Sequence, residues 1–261
     1  MNRIQQLFES CRQSGKKVFT AYLSMGCPDL EYSEKAAAAL LGNGADMLEC
    51  GMPFSDPMAD GAIIREASRK SLASGTTLTG VLDSIAHLRQ RFPQVPLILF
   101  SYYNVIFRYG VEKFAKAAAE AGVDAVLVVD MVLEEREELL TPLRNHNLTM
   151  VPLVAPTTPL SRVADIARGL EDSFIYAITV KGVTGERSAL PPDLAERLAA
   201  IRKISGMPVQ AGFGISTPAQ AAAVGAAADG FIIGSAIVHQ ILTHPDEQGL
   251  ASLAQYAASF R

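Results

Sequence analysis

The chain has 261 residues, 49% of them hydrophobic, and a formal net charge of −4 without long like-charge runs. That length is long for an ordinary domain but normal for an α/β barrel, and the apolar fraction is ample for a large core. The charge excludes the basic footprint of a nucleic-acid binder, and no stretch reaches the length of an apolar membrane span. Cys11, Cys27 and Cys50 lack metal-ligand spacing and cannot all pair within one chain, so a reducing, cytoplasmic setting is expected. The N-terminal MNRIQQLFESCRQSGKK has no apolar signal core. Of four histidines, His87 and His146 fall in helical patterns and His239 near the C-terminal helices, none in a ligand-like cluster.

In chain order, residues 2–13 read as an amphipathic helix with Ile4, Leu7 and Phe8 at helical spacing. VFTAYLSM (18–25) is a β-rich run, and Asp29 can cap an Ala-rich helix over about 30–42. A second strand over 46–50 is followed by helices at 63–73 and 78–91, with Thr76 and Thr77 as cap candidates between them. PLILF (96–100) is the third strand, leading through the aromatic-rich SYYNVIFRYG to a helix over 111–121. DAVLVVD (124–130) is a buried strand, and 133–145 a charged helix. MVPLVA (150–155), a helix near 159–169 and FIYAI (174–178) follow. The loop TVKGVTGERSALPP separates the sixth strand from a helix over 193–203. PVQA (208–211) runs into GFGIS and a helix near 217–226; GFIIG (230–234) is the eighth strand and 247–260 the closing helix.

Eight short apolar runs therefore alternate with helical patterns, without a compositional break. Runs lacking period-two alternation fit parallel strands buried on both faces. Eight such units predict a TIM (β/α)8 barrel, with an N-terminal helix and short extra helices in the βα loops, over 1–261 as a single domain. A doubly wound open sheet is the competing fold. The even spacing and the lack of a GxGxxG after the first strand weigh against it.

The stretch DMLECGMPFSDPMADG (46–61) stands apart. Glu49 lies inside an apolar strand, where desolvation raises a carboxyl pKa. Asp60 comes eleven residues later, on a loop rich in proline and glycine. One acid held in a strand and one delivered by a loop make an acid–base pair. They can equally be a hydrogen-bonded core acid and a helix N-cap. Barrel chemistry sits at the C-terminal ends of the strands. There Gly182 and Gly185 flank Thr184, Gly212 and Gly214 flank Phe213, and Gly234 and Ser235 open a short helix before His239. Glycines at three consecutive loops, with a serine at a helix N-terminus, favour a phosphate site over plain tight turns.

LECGMPFSDPMADG, KGVTGERS, AGFGIS and GFIIGSAIV, in this order, resemble the tryptophan synthase α subunit family over essentially the whole chain. The resemblance implies a TIM barrel that cleaves indole-3-glycerol phosphate to indole and glyceraldehyde 3-phosphate by a retro-aldol reaction. By the same resemblance Glu49 and Asp60 match the two catalytic acids, and Gly185, Gly214, Gly234 and Ser235 the phosphate cradle. Thr184 matches a threonine that organises Asp60, and Tyr176 a site tyrosine. Tyr22, Phe100 and Tyr102 fall at indole-pocket positions, Tyr22 in place of an expected phenylalanine. Asp56 lies in a loop that faces a pyridoxal-phosphate-dependent β subunit, expected in an α2β2 complex. The sequence has no signature for a metal, nicotinamide or flavin in this chain.

Three segments depart from the family pattern. Ala62 replaces a proline after ADG, Met131-Val132-Leu133 replaces a proline-containing segment after strand four, and Thr179-Val180-Lys181 precedes GVTG where a Ser-Arg pair is common. These touch loop motion and partner contact more than the two acids. A stand-alone lyase that releases indole, a weakly active barrel that mainly activates a β partner, and a phosphate-binding barrel with another substrate are the other readings.

Overall fold

The apolar runs fold into parallel strands that pair edge to edge. In the computed structural model, residues 1–179, 193–212 and 214–261 are described. Among them the strands are β1 (Val18–Ser24), β2 (Met47–Gly51), β3 (Leu97–Ser101), β4 (Ala125–Val128), β5 (Thr149–Met150), β6 (Leu153–Val154), β7 (Ile175–Ile178), β8 (Val209–Gly212) and β9 (Gly230–Ile233). Their order is β5-β4-β3-β2-β1-β9-β8-β7-β6. The two ends of that order are consecutive in the chain. The Val151 N–H donates to the Val126 carbonyl at 3.0 Å, while the Pro152 carbonyl accepts from Tyr176 N–H at 3.0 Å. One extended segment, 149–154, thus pairs with β4 on one side and β7 on the other, and the sheet closes into an eight-stave TIM barrel. The expected fifth strand is one stave in two halves, because Pro152 has no N–H to continue the ladder.

Helices cover the outside, with additional ones in the loops: Ala62–Ala73 and Leu78–Arg91 both lie between β2 and β3. The aromatic connection after β3 contains a helix, Tyr103–Tyr109, before Val111–Ala121. The charged stretch after β4 becomes helical only at Glu137, and the helix after β9 runs past His239 to Thr243. Asp29 and Thr77 cap their helices as expected, accepting from Tyr32 N–H and Gly80 N–H. No helix among the described residues is long and apolar enough to cross a membrane. Cys11, Cys27 and Cys50 are buried free thiols.

Register decides which side chains face the lumen. In a parallel pair, partnered residues share a face. Tyr22 pairs with Glu49 and Glu49 with Ile98, while Gly51 pairs with Phe100 one step nearer the mouth. Lower in the lumen, Thr20 donates to Gln210 Oε1 at 2.7 Å, both fully buried. The opposite end of the barrel is plugged by the helix Arg3–Ser14, which buries Ile4, Phe8 and Cys11.

That plug is fastened through one carboxylate. Asp124 accepts from Arg3 at 2.9 Å, from Arg89 at 2.5 Å and from Leu97 N–H at 2.8 Å. Removing it strands the largely buried Arg89 guanidinium. Asp124→Ala should therefore destabilise the fold by about 3–5 kcal/mol, the usual cost of breaking a buried pair from one side. Urea unfolding followed by circular dichroism measures this.

Candidate active site

Glu49 lies at the middle of β2, between two apolar neighbours, Leu48 and Cys50, that face the helices. It is 0% exposed, and neither carboxylate oxygen has a hydrogen-bond partner among the described residues. Among the described residues nothing makes it a hydrogen-bonded core acid. Burial alone pushes its pKa up to about 8. A carboxyl group in such a place holds its proton at neutral pH.

Asp60 is not the helix cap either. The N-cap of Ala62–Ala73 is Gly61, which has no side-chain cap bond. The Asp60 carboxylate turns inward instead and accepts from the Tyr102 hydroxyl at 3.0 Å. That hydroxyl accepts in turn from Ala59 N–H at 3.0 Å, and Phe54 stacks on the Tyr102 ring at 4.9 Å. Tyr102 thus fastens both ends of the carboxyl-bearing turn. Burial raises the Asp60 pKa to about 6, opposed by the Tyr102 hydrogen bond and by the Arg65 charge. At neutral pH Asp60 is ionised while Glu49 is not. Two acids in one chamber are set apart by environment.

Two tyrosines wall the chamber. Tyr22 and Tyr176 are buried, and desolvation raises both phenols well above their ordinary range, with contributions from the Glu49 and Asp60 charges. β7 and β2 are separated by three intervening staves, so the Tyr176–Glu49 interaction crosses the lumen. Each ring leans over a glycine of the neighbouring strand. A Cβ at Gly51 would lie 2.6 Å from Tyr22 Cζ, and one at Gly212 would lie 2.5 Å from Tyr176 Cζ. Tyr22 also meets Phe100 edge-on at 5.1 Å. The shelf roles of Gly51 and Gly212, and the clasp of Phe54 on Tyr102, escape sequence reasoning. A glycine ending each strand is the available signal of close approach.

Two staves from β2, Gly234 is the N-cap of the helix Ser235–Thr243, with no side-chain cap bond. Its first N–H groups are the anion-binding end of a helix. Gly214 has φ +82°, a left-handed conformation suited to glycine. Asp56 is exposed and accepts from the Ser55 hydroxyl at 2.5 Å. Thr184 and Gly185, with Gly182, Val180, Lys181 and Phe213, lie outside the described residues.

A closed parallel barrel with two buried carboxyl groups toward its mouth has the architecture of TIM-barrel enzymes, whose chemistry sits at that end. The family model for the tryptophan synthase alpha chain matches residues 8–260. A curated tryptophan synthase alpha chain from Citrifermentans bemidjiense is 44% identical over 261 residues, covering 100% of this chain and 97% of the relative. Among solved structures, the tryptophan synthase alpha chain from Legionella pneumophila superposes with a TM-score of 0.89 at 31% identity, covering 100% of this chain and 96% of that one. A chain of Mycobacterium tuberculosis tryptophan synthase superposes with a TM-score of 0.90 at 32% identity, covering 99% and 96%. This chain belongs to the tryptophan synthase alpha chain family.

The raised Glu49 pKa has a stability consequence. The unfolded chain releases this proton near pH 4.5, while the folded chain keeps it until about pH 8. Between those values the folded state binds more protons, so stability falls as pH rises. Glu49→Gln removes the titration and keeps the shape. Its melting temperature should gain on the native chain progressively from pH 5 to pH 8 and level off above, in thermal melts across that range.

Proposed function

We propose that this chain cleaves indole-3-glycerol phosphate to indole and glyceraldehyde 3-phosphate, with Glu49 and Asp60 as its working acids. The family assignment carries the reaction. The supporting observation at the site is a buried carboxyl with no hydrogen-bond partner among the described residues, its pKa raised by burial to about 8, with a second acid, raised to about 6, acting on the same two tyrosines.

The chemistry uses both states. Glu49 delivers its proton to indole C3, giving an indolenine cation. The bond from C3 to the glycerol side chain then breaks, and its electron pair returns to the ring. The side-chain hydroxyl loses its proton to the Glu49 carboxylate as it becomes the aldehyde. Glu49 ends protonated, as it began. Asp60, ionised, accepts the ring N–H and stabilises the positive charge while it lasts. The helix end at Gly234 and Ser235, with Gly214 and, by resemblance, Gly185, holds the phosphate. Gripping the phosphate at a distance supplies binding energy to orient the reacting carbon. Tyr22, Phe100 and Tyr176 line the ring side, and Thr184 is assigned to the Asp60 loop.

The rate should follow a bell. It falls below about pH 6 as Asp60 takes up a proton, and above about pH 8 as Glu49 loses one. Glu49→Gln and Asp60→Asn should each lower kcat by about 10²–10⁴-fold, the usual span for a lost general acid or base. Indole release by the purified chain, measured across pH, checks both. Near-native release by either variant removes that residue from the mechanism.

In tryptophan biosynthesis such a chain works with a β subunit in an α2β2 complex, and we place this one in the cytoplasm. The supporting surface is the rim of the mouth, where Met58 is 90% and Val132 52% exposed, with Asp56 between the loop's prolines. Large apolar side chains left in water on loops of one rim, after β2 and β4, fit a contact edge. Met131-Val132-Leu133 then serves as an apolar edge where prolines would have made a rigid one. Sedimentation velocity with the cognate β subunit should show a complex, weakened by Asp56→Ala, and indole release should respond to the partner. A chain that never shifts in sedimentation is a stand-alone lyase.

A further inference from the structure

The Tyr22 side chain does more than line an apolar pocket. It starts on β1, in register with Glu49. Its ring runs from Gly234, where a Cβ would lie 3.3 Å from Cδ1, to Gly51, where a Cβ would lie 2.6 Å from Cζ. Phe100, in register with Gly51, blocks its edge at 5.1 Å. The phenol oxygen therefore sits at the far end, over Gly51, one lumen-facing step toward the mouth from Glu49. Among the described residues its hydrogen-bond contact is with Ser24 Oγ, at 3.5 Å. That is a long contact for two hydroxyls. Position is set by packing between Gly51 and Phe100, and the oxygen fills volume in the chamber.

We propose that the Tyr22 hydroxyl limits the aromatic ring this chain accepts, excluding substituents at one edge of the indole. The inference rests on the substrate reading above. A phenylalanine at this position would leave a space about the size of the missing oxygen at the Gly51 edge. Asp60 and Glu49 fix the pyrrole half of the ring through N–H and C3, so the benzo ring has one allowed orientation. A single oxygen then meets one ring position and not the others. Discrimination by one small group in an apolar pocket is worth about 10–200-fold in kcat/KM.

The test uses the native chain, Tyr22→Phe and Ser24→Ala, each checked by circular dichroism. Substrates are indole and its 4-, 5-, 6- and 7-methyl derivatives, condensed with glyceraldehyde 3-phosphate in the reverse direction. Equilibrium affinity for the same five indoles is measured in parallel. For Tyr22→Phe, the ratio of methylated to unsubstituted indole should rise about tenfold at one ring position, in kcat/KM and in affinity, and stay put at the others. Ser24→Ala should keep the native ratios, since the phenol stays wedged. Ratios unmoved by Tyr22→Phe at every position overturn the proposal. So does a Ser24→Ala profile that matches Tyr22→Phe, which would make hydrogen bonding the cause. A native chain that makes no carbon–carbon bond sinks the substrate reading instead, and the affinity ratios then decide on Tyr22.

Discussion

A carboxyl group with no hydrogen-bond partner among the described residues, held in the lumen of a closed barrel, is the constraint on which the rest of the site turns. Leaving an ion there would cost several kcal/mol. The fold avoids that cost by keeping Glu49 protonated. The same fact leaves it carrying a proton at neutral pH. The barrel supplies what this needs: parallel staves whose outward residues are covered by helices and whose inward residues meet one another across the lumen. Gly51 and Gly212 leave room for two tyrosine rings to lean in near the acid. Preorganisation here is a matter of what surrounds the carboxyl, since no hydrogen bond from the described residues orients it.

Asp124 shows the opposite outcome for a similarly buried acid. It sits at the other end of the barrel, and two guanidiniums and a backbone N–H satisfy it. Partnered in this way it ties the N-terminal helix to β3 and β4. In hydrogen-bond partners Asp60 lies between the two, with the Tyr102 hydroxyl. It is buried enough to be raised to about 6, yet Tyr102 and Arg65 keep it ionised at neutral pH. Burial raises both Glu49 and Asp60, and the Tyr102 hydrogen bond and Arg65 charge oppose it at Asp60.

The staves were legible because a parallel strand buried on both faces leaves an uninterrupted apolar run. Every βα unit was found this way. What escaped was local: the interruption at Pro152, the late helical start at Glu137, and the helix hidden in the aromatic run 103–109. The two acids stood out by an anomaly, a charged residue in an apolar strand and an aspartate in a proline-rich loop. Whether either had a structural job could not be read from the chain. A core partner for Glu49 or a cap at Asp60 depends on groups distant in sequence. The same holds for Tyr22 and Tyr176. Their identities are in the sequence, but their lean across a neighbouring glycine follows from register, and register follows from closure of the sheet.

Closure also joins the two halves of the mouth. β1 lies between β2, which carries Glu49, and β9, which feeds the helix at Gly234. One aromatic ring on β1 therefore touches both: its near edge packs against Gly234 and its far end against Gly51. An anion bound at the helix end and a ring bound beside the acid would share that wall. Since the ring has little freedom between two backbones and Phe100, a phosphate seated at Gly234 would fix the distance at which the rest of the ligand reaches Glu49. Remote binding energy can then be used to orient the reacting carbon, because a misplacement of about 1 Å can cost about 10²-fold in rate. The spacing is set by strand order and by two glycines, so the fold itself carries the measure from anchor to acid.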